Sequence, residues 1–134
     1  MKEEKSYSYD AIIEFEDVDS YGIAHHSKLI NLLERTRVHF FHDQGISVSD
    51  GTFKLVLANM DISFKHPVKM MDKVTVLLKL KKLSNFSLTW DYTIFKDETL
   101  ILQALVKQAS IGENLKPCVF PENIKNCLLK LKQD

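Results

Sequence analysis

Ser27-Lys28-Leu29-Ile30-Asn31-Leu32-Leu33-Glu34-Arg35-Thr36-Arg37-Val38-His39-Phe40-Phe41-His42-Asp43-Gln44-Gly45 is the one long stretch of this chain with a sustained helical period. At 100° per residue, Lys28, Asn31, Arg35, His39 and His42 fall within about 80° of one another as a polar stripe. Leu29, Ile30, Leu33, Phe40 and Phe41 fill the opposite arc, flanked by Leu32, Thr36 and Val38. Gly45 supplies the stop. A helix apolar over more than half its circumference must lie against a broad surface. Arg37 falls in the middle of the apolar arc, where an unpaired guanidinium costs several kcal/mol. It therefore needs a partner or a wet channel, and Glu34, three residues earlier, is the simplest partner. That pair reads either as a structural tie or as the wall of a site.

Working outward, residues 8–16 alternate, with Tyr9, Ala11, Ile13 and Phe15 on one side and Ser8, Asp10, Glu14 and Glu16 on the other. Ile12 breaks the pattern, yet the run reads as a strand with one buried face. Beyond the helix come four strand-like runs, 53–65, 73–83, 86–95 and 100–111. Val74, Val76, Leu78 and Leu80 alternate in the second; Phe86, Leu88, Trp90, Tyr92 and Ile94 alternate in the third. Ser84-Asn85 and Asp97-Glu98 have turn chemistry, and Pro67 ends the first run because it cannot donate to a ladder. Pro121 to Gln133 reads as a short helix with Pro121 in its first turn. A strand, a long helix, then strands in succession define an α+β domain over residues 1–134, with four consecutive strands able to form an antiparallel meander.

Composition excludes several classes. Hydrophobic residues make up 45% and charged residues 27%, values of a globular chain and not of a disordered one. Eighteen basic residues balance eighteen acidic ones, so no global basic field argues for nucleic-acid binding. The balance hides an asymmetry: residues 1–61 carry a net −5 and residues 62–134 a net +5. Such a split fits carboxylate chemistry in one half and anion docking in the other, or simple surface composition. The charged start Met1-Lys2-Glu3-Glu4-Lys5 leads into no apolar segment, and no run is long enough to span a bilayer. Cys118 and Cys127, nine apart with no ligand set nearby, read as free or buried thiols. These features predict a cytoplasmic protein without a membrane span.

Chemistry is expected between the first strand and the helix, at Asp17-Val18-Asp19-Ser20-Tyr21-Gly22-Ile23-Ala24-His25-His26-Ser27. Two carboxylates stand just past a strand end, a glycine lets the chain turn, and two histidines run into a helix N-terminus. The first helical N–H groups lack intrahelical partners and carry the positive end of the dipole, so they can donate to a carbonyl becoming an oxyanion. A carboxylate folded back over them can attack that carbonyl or activate water. A metal site from Asp19, His25 and His26 lacks a fourth ligand and the right spacing, so neither metal nor cofactor is expected.

These residues, with Glu34-Arg35-Thr36-Arg37 on the helix, resemble the 4-hydroxybenzoyl-CoA thioesterase family of hotdog-fold proteins. That family carries Asp-x-Asp-x-x-Gly-[IV]-[VA]-x-His followed by Glu-x-x-Arg. The resemblance runs through Ile62-Ser63-Phe64-Lys65-His66-Pro67, Asp72 and Ser84, roughly residues 8–120. It departs at Lys28-Leu29, where the family often has Asn-Tyr, and at Met71, where it usually has Gly. What it implies is a hotdog fold, an antiparallel five-stranded sheet wrapped around one long helix and paired into a homodimer or homotetramer. It implies hydrolysis of acyl-CoA, or of acyl-carrier-protein thioesters, with Asp19 as the catalytic carboxylate, His26 as the motif histidine, and the amides of His26 and Ser27 polarising the carbonyl. Asp17 and Gly22 then support the loop. A non-catalytic acyl-CoA-binding module is the alternative from another class.

Within that reading, Leu29 is the pocket residue by position, while Leu33, Phe40, Phe41, Phe64 and Trp90 serve as core or pocket lining. Coenzyme A carries about four negative charges, and Lys81, Lys82, Ser84 and Asn85 cluster in one hairpin of the basic half as its phosphate contacts. Asn59, Asp61 and Ser63 share a strand face and are the residues expected to be lent to a partner's site.

Overall fold

The computed structural model describes residues 5–47 and 54–133. Met1–Glu4 of the charged start, and Phe53 at the head of the run 53–65, lie outside the described residues. The elements are β1 (Tyr7–Ile12), α1 (His26–Asp43), β2 (Lys54–Phe64), β3 (Lys73–Leu83), β4 (Ser87–Lys96), β5 (Thr99–Ile111) and α2 (Glu122–Leu129). The strands form one antiparallel sheet in the order β1-β3-β4-β5-β2.

Only three of the four consecutive strands form the meander. After β2 the chain crosses the end of the sheet through residues 65–72, where Val68 is buried and its carbonyl accepts the Ala24 N–H at 2.9 Å. That crossing over the start of α1 separates β2 from β3 and leaves β2 on the far edge, beside β5. β1 fills the place next to β3.

β1 is also shorter than its alternation predicts. The Ile13 amide donates to Asp72 O at 2.9 Å, the Met71 amide to Ile13 O at 2.7 Å, and the Glu14 amide to the Asp17 carboxylate at 2.8 Å. These bonds turn the chain into a single 3-10 turn at Phe15–Asp17, leaving Phe15 78% exposed where a buried face was expected. Ile12 faces solvent and Ile13 the core, which accounts for the broken alternation.

α1 begins one residue before its predicted start, with His25 as N-cap. It ends in a Schellman motif: Gly45 takes φ +77°, its amide donates to His42 O, and the Ile46 amide to Phe41 O. Its inner face buries Leu29, Leu32, Leu33, Thr36, Phe40 and Phe41 against Val74, Val76, Leu78 and Leu80 of β3 and Leu88, Trp90, Tyr92 and Ile94 of β4. Phe40 and Phe41 meet Trp90 edge-on at 6.4 and 6.0 Å, and Trp90 Nε1 donates to Gln108 at 2.8 Å. Leu33, Phe40, Phe41 and Trp90 are therefore core.

Arg37 is resolved differently from the expected pair with Glu34. Its guanidinium donates to the Tyr92 hydroxyl at 3.0 Å, and Glu34 is exposed. The inner row of β4 sets a phenol under the helix at that level, so the arginine is satisfied from the sheet. α2 adds Ile124, Cys127 and Leu128 to the core, and the tail beyond it bridges β3, with Leu80 N–H donating to Leu131 O at 2.8 Å. No helix among the described residues is long and apolar enough to cross a membrane.

Candidate active site

The loop between β1 and α1 is a closed ring of backbone bonds. The Asp19 amide donates to Ile23 O at 2.9 Å and the Gly22 amide to Asp19 O at 2.9 Å, with Gly22 at φ +77° where only glycine turns without strain. Asp19 Oδ1 accepts the amides of Tyr21 (2.9 Å) and Ile23 (3.2 Å). Its Oδ2 accepts no hydrogen bond among the described residues. Asp17 is spent on structure: its carboxylate caps the 3-10 turn, and its carbonyl accepts the His25 amide at 2.8 Å, which pins the start of α1 under the loop.

At that start, Lys28 and Leu29 bond back to His25 O at 3.0 and 3.3 Å. The amides of His26 and Ser27 have no partner among the described residues, no side chain caps them, and both residues are exposed. Two unpaired donors at the positive end of an eighteen-residue helix suit an anion or a polarised carbonyl.

Beside them opens a pocket of about 230 Å³, lined by Ile23, Ala24, His26, Leu29, Phe64, Lys65, His66, Pro67 and Val68. The His26 ring lies 4.5 Å from the Phe64 ring, so the wall of the pocket joins α1 to the end of β2. Leu29, buried on α1, is among the residues that line this pocket. A wider groove of about 710 Å³ follows β1 and touches Asp17 and Arg35, but neither Asp19 nor the free amides.

The other predicted residues fall elsewhere. Lys81, Lys82 and Ser84 line one cavity with Ser87, Thr89, Lys107 and Lys132. Asn85 is not in that lining; its carbonyl accepts the Phe120 amide at 3.3 Å. This basic cavity sits at the far end of β3 from the loop, about 30 Å along the strand at ~3.3 Å per residue. Asp61 pairs with Leu105, Asn59 with Lys107 and Ser63 with Gln103, all on the sheet face away from α1. Their polar run fits an outward face of an edge strand. Glu34 and Arg37 lie along α1 beyond the pocket lining. Sequence reasoning missed Lys107 and Lys132; the latter arrives only because the tail bridges Leu80, a contact with no local signal.

Asp72, at the turn before β3, is held below the usual carboxylate range by the Lys69 amide and then by Lys96, whose ammonium lies 2.9 Å away. Among the described residues no group of His, Cys, Asp and Glu is arranged to hold a metal ion.

A model of the thioesterase-like superfamily matches residues 13–128. The acyl-CoA thioesterase YbgC of Haemophilus influenzae is 19% identical over 134 residues, covering 96% of this chain and 98% of its own. A hypothetical protein of Aquifex aeolicus, solved by crystallography, is 29% identical with a TM-score of 0.86, covering 91% of this chain and 98% of that one. A 1,4-dihydroxy-2-naphthoyl-CoA thioesterase from Synechocystis superposes with a TM-score of 0.87 at 20% identity, covering 94% and 97% of the two chains.

Proposed function

The chain belongs to the thioesterase-like superfamily, and from that premise we propose that it hydrolyses an acyl-CoA thioester to the free acid and coenzyme A. The observation that carries the reading is the pair of unpaired amides at His26 and Ser27 beside a loop whose Asp19 keeps one carboxylate oxygen free. The thioester carbonyl accepts from those amides. Asp19 either takes a proton from the attacking water, or attacks the carbonyl itself to form a mixed anhydride that water then hydrolyses to the free acid. The tetrahedral oxyanion gains hydrogen bonds that strengthen as charge develops, and the C–S bond breaks to release the thiol. Asp17 and Gly22 hold the loop, and Leu29 with Phe64 flanks the acyl group.

The reading includes a homodimer, or a pair of dimers, joined through β2. Val56, Leu57 and Phe64 on that edge strand are exposed apolar side chains beside unpaired backbone groups. Lys54 pairs with Ile111 and Ser87 with Ala109, so the Lys54 end of β2 lies at the hairpin end of the sheet. Antiparallel joining about a two-fold axis through β2 sets that end against the partner's Phe64. Each basic cavity then serves the partner's site rather than its own. We assign the reaction to the cytoplasm, in keeping with two free thiols.

The test is thiol release from acetyl-, butyryl-, benzoyl- and palmitoyl-CoA, with matched acyl-carrier-protein thioesters in parallel. Turnover of one or more CoA thioesters is expected. Faster turnover of the carrier-protein thioesters would make that protein the donor, and no release from either set would leave an acyl-binding module.

A further inference from the structure

The first turn of α1 carries the wrong charge for its place. A helix N-terminus favours Asp or Glu and is destabilised by cations. Here the first turn holds no acid; its N-cap is His25, and His26, Ser27 and Lys28 follow. The pocket beside it repeats the sign. Its ionisable lining residues are His26, Lys65 and His66, and no carboxylate lines it. Asp19 is outside that lining, with one carboxylate oxygen on the Tyr21 and Ile23 amides. Lys65 and His66 stand on a fixed segment, their amides both donating to Ile101 O, at 2.8 and 3.3 Å. Among the described residues neither side chain has an ion-pair or hydrogen-bond partner. Positive groups gathered without a counter-charge around unpaired helix amides cost stability, and they suit an anion supplied from outside the chain.

The chemistry of the substrate says which anion. With the thioester carbonyl on the His26 and Ser27 amides, the phosphates of coenzyme A stand a pantetheine arm away, and that arm is neutral. Only the acyl group can bring a charge to this pocket. A neutral hydroxyl there would face an ammonium that donates and never accepts, whereas a carboxylate accepts from every polar side chain of the lining. We infer that the acyl group carries a second carboxylate, which makes the substrate a short dicarboxylic acyl-CoA. Lys65 and His66 hold the distal carboxylate, and the methylenes lie between Leu29 and Phe64. The pocket volume of about 230 Å³ suits a few carbons and not a long chain. Lys65 and His66 are then specificity-determining residues. This rests on the thioesterase reading and adds the acyl class to it.

Two measurements test it. The first uses thioethers that cannot be hydrolysed, S-carboxypropyl-CoA and S-butyl-CoA, matched in length and titrated into the protein by calorimetry. The carboxylate compound is expected to bind about tenfold tighter, the worth of one charge-assisted contact. The gap should narrow in Lys65→Met. Equal affinities, binding of neither compound, or a gap undiminished in Lys65→Met overturn the inference. This readout needs no turnover. A carboxylate preference without thiol release from any ester would leave the inference standing and fail the thioesterase reading alone. The second measurement is thiol release from succinyl-CoA, its neutral monomethyl ester and butyryl-CoA, with self-hydrolysis subtracted. The kcat/KM for succinyl-CoA should exceed those of both neutral esters by about tenfold, and that ratio should fall toward unity in Lys65→Met. Comparable wild-type values for all three, or an equal loss on all three in the variant, overturn it.

Discussion

Met71 adopts φ 73° between Lys69 and Asp72, the turn closed by the Asp72 amide donating to Lys69 O at 3.1 Å. The resembling family usually has glycine at this position, and the left-handed backbone supplies the reason. Relief of about 1–2 kcal/mol of strain, less the roughly 0.5–1 kcal/mol entropic cost of glycine, should make Met71→Gly about 0.5–1 kcal/mol more stable. A thermal melt then moves upward by a few degrees; an unchanged or lower Tm contradicts the argument. At Asp19 the geometry makes asparagine a clean probe. Its amide oxygen can still accept from Tyr21 and Ile23, so the loop persists while the charge is lost. Asp19→Asn should retain the wild-type melt and lose on the order of 10²-fold or more in kcat. Asp17→Asn should cost far less, since Asp17 serves the turn and the helix start. Similar kcat for Asp19→Asn and wild type would remove Asp19 from the mechanism. The pairing of aspartates in this loop was legible in sequence; which amides each carboxylate accepts was not, because that depends on how the loop turns.

At the scale of elements, α1 was readable almost to the residue, since its period, Gly45 stop and polar stripe are local properties. Its partner at Arg37 was not, because Tyr92 is 55 residues away and comes under the helix only once β4 is docked. The β3–β4 hairpin behaves likewise. Its lysines and turn residues were visible, and Ser84 does close the turn, its amide donating to Ser87 O at 2.9 Å. The cavity they share with Lys107 and Lys132 follows from strand pairing and the tail. Exposed phosphate contacts of this kind are worth at most about 1 kcal/mol each. Neutralising Lys81 and Lys82 together should raise KM for acyl-CoA several-fold with kcat nearly unchanged, because remote binding acts on ground and transition states alike. The wild-type KM should also rise more steeply with salt than the double variant's. Coincident KM values and salt slopes would assign the phosphates elsewhere.

For the whole molecule, the expected state is a dimer or larger by light scattering at assay concentration, and a fully active monomer would contradict the shared site. Leu57→Lys on the β2 edge should weaken the assembly and lower activity with it. Among the described residues, Tyr92, Tyr7 and Cys127 resist ionisation. Burial pushes Tyr92 up to about 12, burial and then the Asp43 carboxylate push Tyr7 up to about 12, and burial pushes the Cys127 thiol up to about 11. Each lies above the group's ordinary value, 10.0 for the tyrosines and 9.0 for the thiol. Their contribution is therefore complete below about pH 9 and is lost as pH rises toward 12. Urea midpoints should fall across that window. Tyr92→Phe should flatten the alkaline fall while costing about 1–3 kcal/mol at neutral pH, because Arg37 loses its partner. A wild-type midpoint flat to pH 11 would contradict this.

The sequence by itself determined the element types, the strand boundaries of β3 to β5 to within a residue or so, and the loop that precedes α1. Those depend on period, turn chemistry and caps, all of which act within a few residues. Tertiary structure alone decided that β2 leaves the meander for the opposite edge, that β1 stops at Ile12, and that Asp61 faces away from the helix. It also decided that the basic cavity lies at the far end of its own sheet. Each of those outcomes rests on bonds between segments distant in the chain, such as Ala24 to Val68 and Ile13 to Asp72. A hydrophobic period tells a strand which side to bury; it carries no information about which neighbour offers the open edge.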